Sequence, residues 1–287
     1  MSFMQSFPRP TKTYHTTTYD RIAKHHGFDG TGKTVLITGG ASGIGYSFAQ
    51  AFARAGVARI AIVSRSSEQQ QQAKTELEQL FPSTQIVLYQ ASVTAHAQIN
   101  NIIRELNTID VLILNAAIAH GRKTATELNI EEVQTAFEVN TIASFNLVKA
   151  YLQTPSPPAT TKTIINISSG AAHMVNPYRL AYGAIKAATA QIMQSFAAEQ
   201  KNNDNVKIFS FHPGSFYTPG VAENMPKSMM QWEDINLPAD FALWLAGPES
   251  AFLHGRHLWA NWDVDELVML RDKIATDVNF LTIGLVQ

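Results

Sequence analysis

What most restricts this chain is a rhythm. From Lys33 onward, short runs rich in β-branched and other apolar residues alternate with longer segments of helical period. The short runs are Thr34–Thr38, 59–63, 85–89, Val111–Leu114, 163–167 and 206–211, and their length and flanking turns predict buried strands. Between them lie 44–55, Ser67–Leu80, 95–106, 130–152 and 178–201, each long enough to cross over a sheet. Antiparallel neighbours can be joined by a tight turn, whereas parallel strands need a crossover of about a dozen residues or more. Sustained alternation therefore predicts an α/β fold, a doubly wound parallel sheet with helices on both faces, in a single domain.

The remainder divides around that unit. Residues 1–30, rich in Thr, His, Tyr and Pro without apolar period, are expected to form an N-terminal arm that lies on the domain or is partly disordered. The domain is expected to span 31–262, with a surface loop at 155–159 and an irregular lid at about 214–236, and 263–287 to form a C-terminal extension with an added helix near 265–274. Within 287 residues, 22 Lys+Arg against 23 Asp+Glu leave a net charge of -1 and no basic run, so neither nucleic acid nor an anionic membrane is an expected partner. No apolar stretch approaches the ~18 residues of a membrane span. The absence of cysteine removes disulfides, thiolate metal sites and a Cys nucleophile, and no His/Asp/Glu cluster has metal-ligand spacing. With no secretory or peroxisomal address, the cytoplasm is the expected location.

The first predicted strand runs into Thr38-Gly39-Gly40-Ala41-Ser42-Gly43-Ile44-Gly45, which opens the first crossover helix. In that context Gly39 permits a tight turn, Gly43 lets backbone approach a pyrophosphate, and Gly45 lets helix pack on strand. The helix start offers free N–H groups of Ser42 to Gly45 to an anion. A dinucleotide is the expected ligand.

The Gly-x-x-x-Gly-x-Gly spacing resembles the short-chain dehydrogenase/reductase family, and further motifs extend the likeness over about 31–260. Asn115-Ala116-Ala117 follows the fourth strand where the family has Asn-Ala-Gly, Asn140 sits in the next helix, and Ser169 ends the fifth strand. Tyr182 and Lys186 form Tyr-x-x-x-Lys, and Pro213-Gly214 with Thr218 follows the sixth strand. The segment 255–263 resembles fungal members. The resemblance implies a Rossmann-type fold and an oxidoreductase pairing through its long helices as a homodimer or homotetramer.

Tyr182 and Lys186 share one helix face. A free tyrosine titrates near 10, and a neighbouring ammonium would lower that value toward useful acid-base work. The resemblance makes Tyr182 the proton donor to a substrate oxygen and gives Lys186 the nicotinamide ribose as well. Ser169, at the family's spacing before Tyr182, would polarise the carbonyl oxygen, while Ser168 packs locally. Asn140 would anchor a water that resupplies protons to Lys186. Asn115 would brace the cofactor edge with Ala116 and Ala117, the last a departure from glycine that tightens the fit. Pro213, Gly214, Phe216 and Thr218 would cover the nicotinamide.

Ser64 stands after the second strand where an NAD-preferring enzyme would place an acid for the adenosine 2'-hydroxyl. Arg65 beside it can fork onto a 2'-phosphate, and Ser66 and Ser42 can add hydroxyls, so NADP(H) is the expected cofactor. Ser92, with Val93, replaces the aspartate many relatives use at the adenine. On the substrate side His173, Met174, Tyr178, Phe216, Met225, Met229 and Trp232 suggest an adaptable apolar surface for a bulky hydrophobic carbonyl or alcohol. His120, His173 and His212 are expected to bond backbone rather than act as acids. The leading expectation is an NADPH-dependent ketoreductase or alcohol dehydrogenase. The alternatives are non-redox isomerase, dehydratase or cyclase chemistry on the same fold, and an inactive NADPH-binding sensor.

Overall fold

The computed structural model describes residues 7, 9–119, 121–155, 157, 160–175, 177–222 and 226–284. Seven parallel strands, β1 Thr34–Thr38, β2 Arg59–Ser64, β3 Gln85–Gln90, β4 Val111–Leu114, β5 Lys162–Ile167, β6 Val206–His212 and β7 His257–Trp259, form one sheet. Their order is β3-β2-β1-β4-β5-β6-β7. Every residue of β1, β4 and β5 is buried, which is why these strands read as unbroken rather than alternating apolar runs. β1 pairs with β2 on one side and β4 on the other, so strand order reverses there and opens a crevice at the carboxyl ends.

The helices are α1 Asp20–Ala23, α2 Gly43–Arg54, α3 Ser67–Leu80, α4 His96–Leu106, α5 Ile130–Phe137, α6 Ala143–Gln153, α7 Leu180–Glu199, α8 Pro219–Ala222, α9 Asn236–Ala246, α10 Val264–Met269 and α11 Arg271–Thr276. One core joins a face of the sheet to α2 and α9 through Phe48, Phe52, Phe211, Phe241 and Trp244. The other joins the opposite face to α4, α6 and α7 through Ile103, Leu147, Tyr151, Ile164 and Met193. The fold is the Rossmann type that the alternation and the glycine turn lead one to expect.

Three features depart from the sequence reading. The expected helix 130–152 is two helices joined by a π turn, Glu138–Ile142, with Asn140 inside it. Helix α9 has no amphipathic period because Leu237 through Leu245 are all buried, and β7, three residues long, borders β6. In place of one added helix near 265–274 there are two short ones, α10 and α11. The described part of the arm lies on the domain: Ile22 and Phe28 belong to the first core, and Tyr14 forms an antiparallel bridge with Trp262. No described helix is long and apolar enough to cross a membrane.

Candidate active site

The turn between β1 and α2 is shaped by what a side chain would hit. Gly39 and Gly43 hold φ of 67° and 54°, in the left-handed region that favours glycine. A Cβ on Gly45 would lie 2.1 Å from the Gly39 carbonyl oxygen and 2.6 Å from Asn115 Nδ2, so α2 can start here only without one. Asn115 holds the turn from β4: its amide donates to the carbonyls of Thr38 (3.0 Å) and Gly39 (3.2 Å). The backbone N–H groups of Asn115 and Ala116 each donate to Thr38 Oγ1 at 3.0 Å. Ser42, the N-cap of α2, places no side-chain bond on the helix start, which leaves those N–H groups facing the cleft.

That cleft encloses about 720 Å³. The residues expected at its phosphate end, Gly39, Ser42, Gly43, Ile44 and Gly45, all line it. So do Ser64, Arg65 and Ser66, Ser92 and Val93, Asn115, Ala116 and Ala117, and Thr218. Gln69, Ile118 and Val139 line it as well and carry no motif that would have singled them out. Ser64 Oγ is buried without a hydrogen-bond partner among the described residues, an orphan that a ligand hydroxyl or phosphate would satisfy. Arg65 is exposed at the rim, and Ser66 caps α3 by accepting from Gln69 N at 3.3 Å. The Ser92 hydroxyl is engaged by Thr94, 2.8 Å away, in a local turn.

At the carboxyl end of β5 the chain leaves the sheet at Ile167, and Ser169 begins a single 3-10 turn, Gly170–Ala172, accepting from Ala171 N at 3.2 Å. Helix α7 then brings Tyr182 and Lys186 to the same edge. Lys186 is buried, donates to the Ile167 carbonyl at 2.8 Å, and lies 5.8 Å from the centre of the Tyr182 ring. Burial pushes its ammonium down to about 8. Burial holds the Tyr182 phenol above its ordinary value, against the expected lowering by Lys186; a hydrogen bond with Ser169 and the positive charge of Arg179, rather than the lysine, pull it down in part. Ser169, Tyr182 and Lys186 thus meet, and Arg179, three residues before the tyrosine, joins them without having been expected. Asn140 is buried one layer away: Oδ1 accepts from Ile118 N (3.2 Å), and Nδ2 donates to Ile118 O (3.1 Å) and Ala136 O (2.9 Å). Its carbonyl accepts from Ser144 Oγ at 2.7 Å and Thr189 Oγ1 at 3.3 Å.

After β6, Pro213 and Gly214 (φ 112°) start the next loop, and neither they nor Phe216, all expected at the cofactor, line the cleft. Phe216 is buried and folded back on Gly214, and Thr218 reaches the glycine turn, 3.5 Å from where a Gly43 Cβ would stand. Behind the turn sits Glu233, which nothing in the sequence marked. Its Oε2 accepts from Ser215 N at 2.7 Å, and Oε1 from Asn261 Nδ2 at 3.0 Å and Tyr14 at 3.4 Å. Burial raises its carboxyl above the ordinary value.

The substrate-side expectations scatter more widely. His173 and Met174 follow the Ser169 turn. Tyr178 lies exposed under the Arg122 guanidinium, 5.2 Å from its ring centre, and Met229 is also exposed. Trp232 packs on Tyr217 and donates to Lys227 O at 2.7 Å. Met225 and His120 lie outside the described residues. Two histidines and a serine correct the sequence reading. His173 Nε2 accepts from the Trp259 indole (3.0 Å) rather than bonding backbone. His212, fully buried, has no partner on either ring nitrogen among the described residues, because it ends β6 facing Trp259 rather than a free carbonyl. Ser168, expected only to pack, pairs with His257 Nε2 at 3.1 Å on the adjoining β7.

Residues 33–228 match the family described as short chain dehydrogenase. Short chain dehydrogenase/reductase nsrO of Aspergillus novofumigatus is 58% identical over 289 residues, covering 100% of both chains. A short chain dehydrogenase from Burkholderia cenocepacia, solved in complex with NADP, superposes with a TM-score of 0.71 at 22% identity, over 80% of this chain and 97% of that one. A 3-oxoacyl-[acyl-carrier protein] reductase from Brucella melitensis, solved with NAD, gives 0.72 at 24% identity over 80% and 96%. Family match, full-length fungal relative and shared fold agree with the order of motifs along the chain, which belongs to the short chain dehydrogenase family.

Proposed function

We propose that the protein is an NADPH-dependent ketoreductase acting on a bulky hydrophobic carbonyl compound, and in reverse on the alcohol. The observation that carries this reading is the meeting of Ser169, Tyr182 and Lys186 at the sheet edge that borders the dinucleotide cleft. The cleft fits a nicotinamide dinucleotide: it offers open N–H groups at α2, an orphaned Ser64 hydroxyl and the Arg65 cation, with no carboxylate at Ser64 to repel a 2'-phosphate. When bound, that cofactor supplies the hydride that adds to the carbonyl carbon.

The chain's own part is alignment and proton management. Tyr182 gives its phenolic proton to the substrate oxygen as charge develops there, and Ser169 donates a hydrogen bond to the same oxygen. Lys186 holds the ribose hydroxyls and favours the phenolate that Tyr182 becomes. Asn140 pins Ile118 of the cleft wall through two side-chain bonds and orders the π turn behind the lysine. Arg179 adds positive charge near the tyrosine.

The test follows the transferred hydrogen. NADPH deuterated at its transferable position is mixed with the protein and a panel of bulky ketones and quinones, and products are read by mass spectrometry. Deuterium at a new carbinol carbon is expected with the unaltered protein. In Tyr182→Phe the rate should fall by about 10² or more with NADPH affinity nearly unchanged. Conversion without deuterium retention would replace this reading with isomerase or cyclase chemistry.

A further inference from the structure

We infer that Phe7 and residues 9–18 of the N-terminal arm are a working part of the substrate site: Phe7 forms its outer wall with His173, and Tyr14, through Glu233, ties the arm to the chain that follows β6. The inference rests on the ketoreductase reading for the reaction, but its geometry is independent of it. His173 closes the 3-10 turn that Ser169 opens, so its ring stands one turn from the hydroxyl assigned to the reacting oxygen. The Phe7 ring meets His173 edge-on, centroids 6.0 Å apart, and stacks on Trp259 at 6.2 Å. Trp259 is itself fixed, donating its indole N–H to His173 and stacking on Trp262 at 6.1 Å with the planes 2° apart. Both tryptophans are buried, while His173 is exposed and Phe7 half-buried, so these two present the ledge and the tryptophans back it.

The second part of the arm holds both ends of the loop after β6. Glu233 joins the front of it, through Ser215 N, to Tyr14 of the arm, and Asn261 bridges Glu233 and the His15 carbonyl. One residue on, Asp234 donates its N–H to Thr16 O at 2.9 Å and accepts from Thr18 N at 3.2 Å. The segment between these fixed points carries Tyr217, Met229 and Trp232. A ledge of aromatic rings beside the turn that Ser169 opens suits a planar aromatic carbonyl compound larger than one ring.

Two probes share a reacting 1,2-dicarbonyl but differ in face: 9,10-phenanthrenequinone and 2,3-butanedione. Binding of the quinone to the full chain saturated with NADP+ is measured by calorimetry, and NADPH-driven turnover of both probes is followed. Phe7→Ala is expected to weaken quinone affinity by about three- to tenfold, to leave NADP+ affinity and butanedione turnover within about twofold, and to be rescued by Phe7→Trp. Tyr14→Phe is expected to raise the quinone KM several-fold with kcat little changed. Phe7→Leu, which keeps an apolar plug, serves if the alanine variant melts early. Equal losses for both probes, no loss for the quinone, or no quinone binding by the unaltered protein would overturn the assignment of the arm. Binding that depends on Phe7 without any reduction would instead keep the arm in the site and remove the ketoreductase reading. Reduction indifferent to Phe7→Ala would do the reverse.

Discussion

Under the proposed function, Ser64 and Arg65 would divide the recognition of the adenosine ribose between a buried hydroxyl without a hydrogen-bond partner among the described residues and an exposed cation. Replacing both, Ser64→Asp with Arg65→Ala, puts a carboxylate where it accepts from ribose hydroxyls and repels a 2'-phosphate. NADPH affinity is expected to fall by about 10- to 100-fold, on the scale of one or two charge-assisted bonds lost, and NADH affinity to rise. Quenching titrations with the two cofactors check this, and an unchanged NADPH constant would mean the phosphate contacts neither residue. The cleft residues could be read from the sequence because the glycine turn and the residues after each strand are local signals, fixed by what a turn or a strand end must do. Glu233, Tyr14 and His257 could not be read that way, since each acquires meaning only from a partner far along the chain: Tyr14 and Glu233 are separated by 219 residues, Ser168 and His257 by 89.

Among the elements, the sheet and its crossover helices followed from periodicity, and the exceptions have physical causes. Helix α9 is wrapped on all sides, so no polar face announced it, and β7 is too short to display a period. The π turn at Asn140 hides inside a continuous helical pattern because its side-chain bonds, not its composition, widen the backbone. The junction of β1 and α2 yields a sharp prediction. Gly45→Ala puts a methyl against Gly39 O and Asn115 Nδ2, forcing the helix off the turn, at a cost of about 1–3 kcal/mol. A lowered melting temperature and at least tenfold weaker NADPH binding are expected, whereas Gly121→Ala, with open space around it, should change neither. Equal behaviour of the two variants would mean that α2 can recede without harm.

At the scale of the whole molecule, the sheet's carboxyl edge buries two neighbouring histidines, His212 and His257, beside the exposed His173. Burial drives His212 and His257 down to about 3, with His173 adding to both. An unfolded chain protonates these rings near 6.5, so between pH 6.5 and 3 it binds protons that the folded protein refuses, and stability must fall as pH falls through that window. Each ring contributes a slope of up to about 1.4 kcal/mol per pH unit. Melting temperatures measured from pH 7 to 4 should decline steeply, and His212→Phe, which keeps a ring against Trp259, should flatten the decline; parallel curves would show that the histidines are not the cause. The arm carries a consequence in time. Lys12 and Thr13 donate backbone N–H groups to Glu266, and Tyr14 pairs with Trp262, so the first described residues are sewn to a segment made roughly 250 residues later. During synthesis the glycine turn and the strands around it can assemble as they emerge, but the arm has nowhere to dock until α10 has left the ribosome. On the proposed reading, a nascent chain of this protein would be able to hold a dinucleotide before it could recognise anything to reduce.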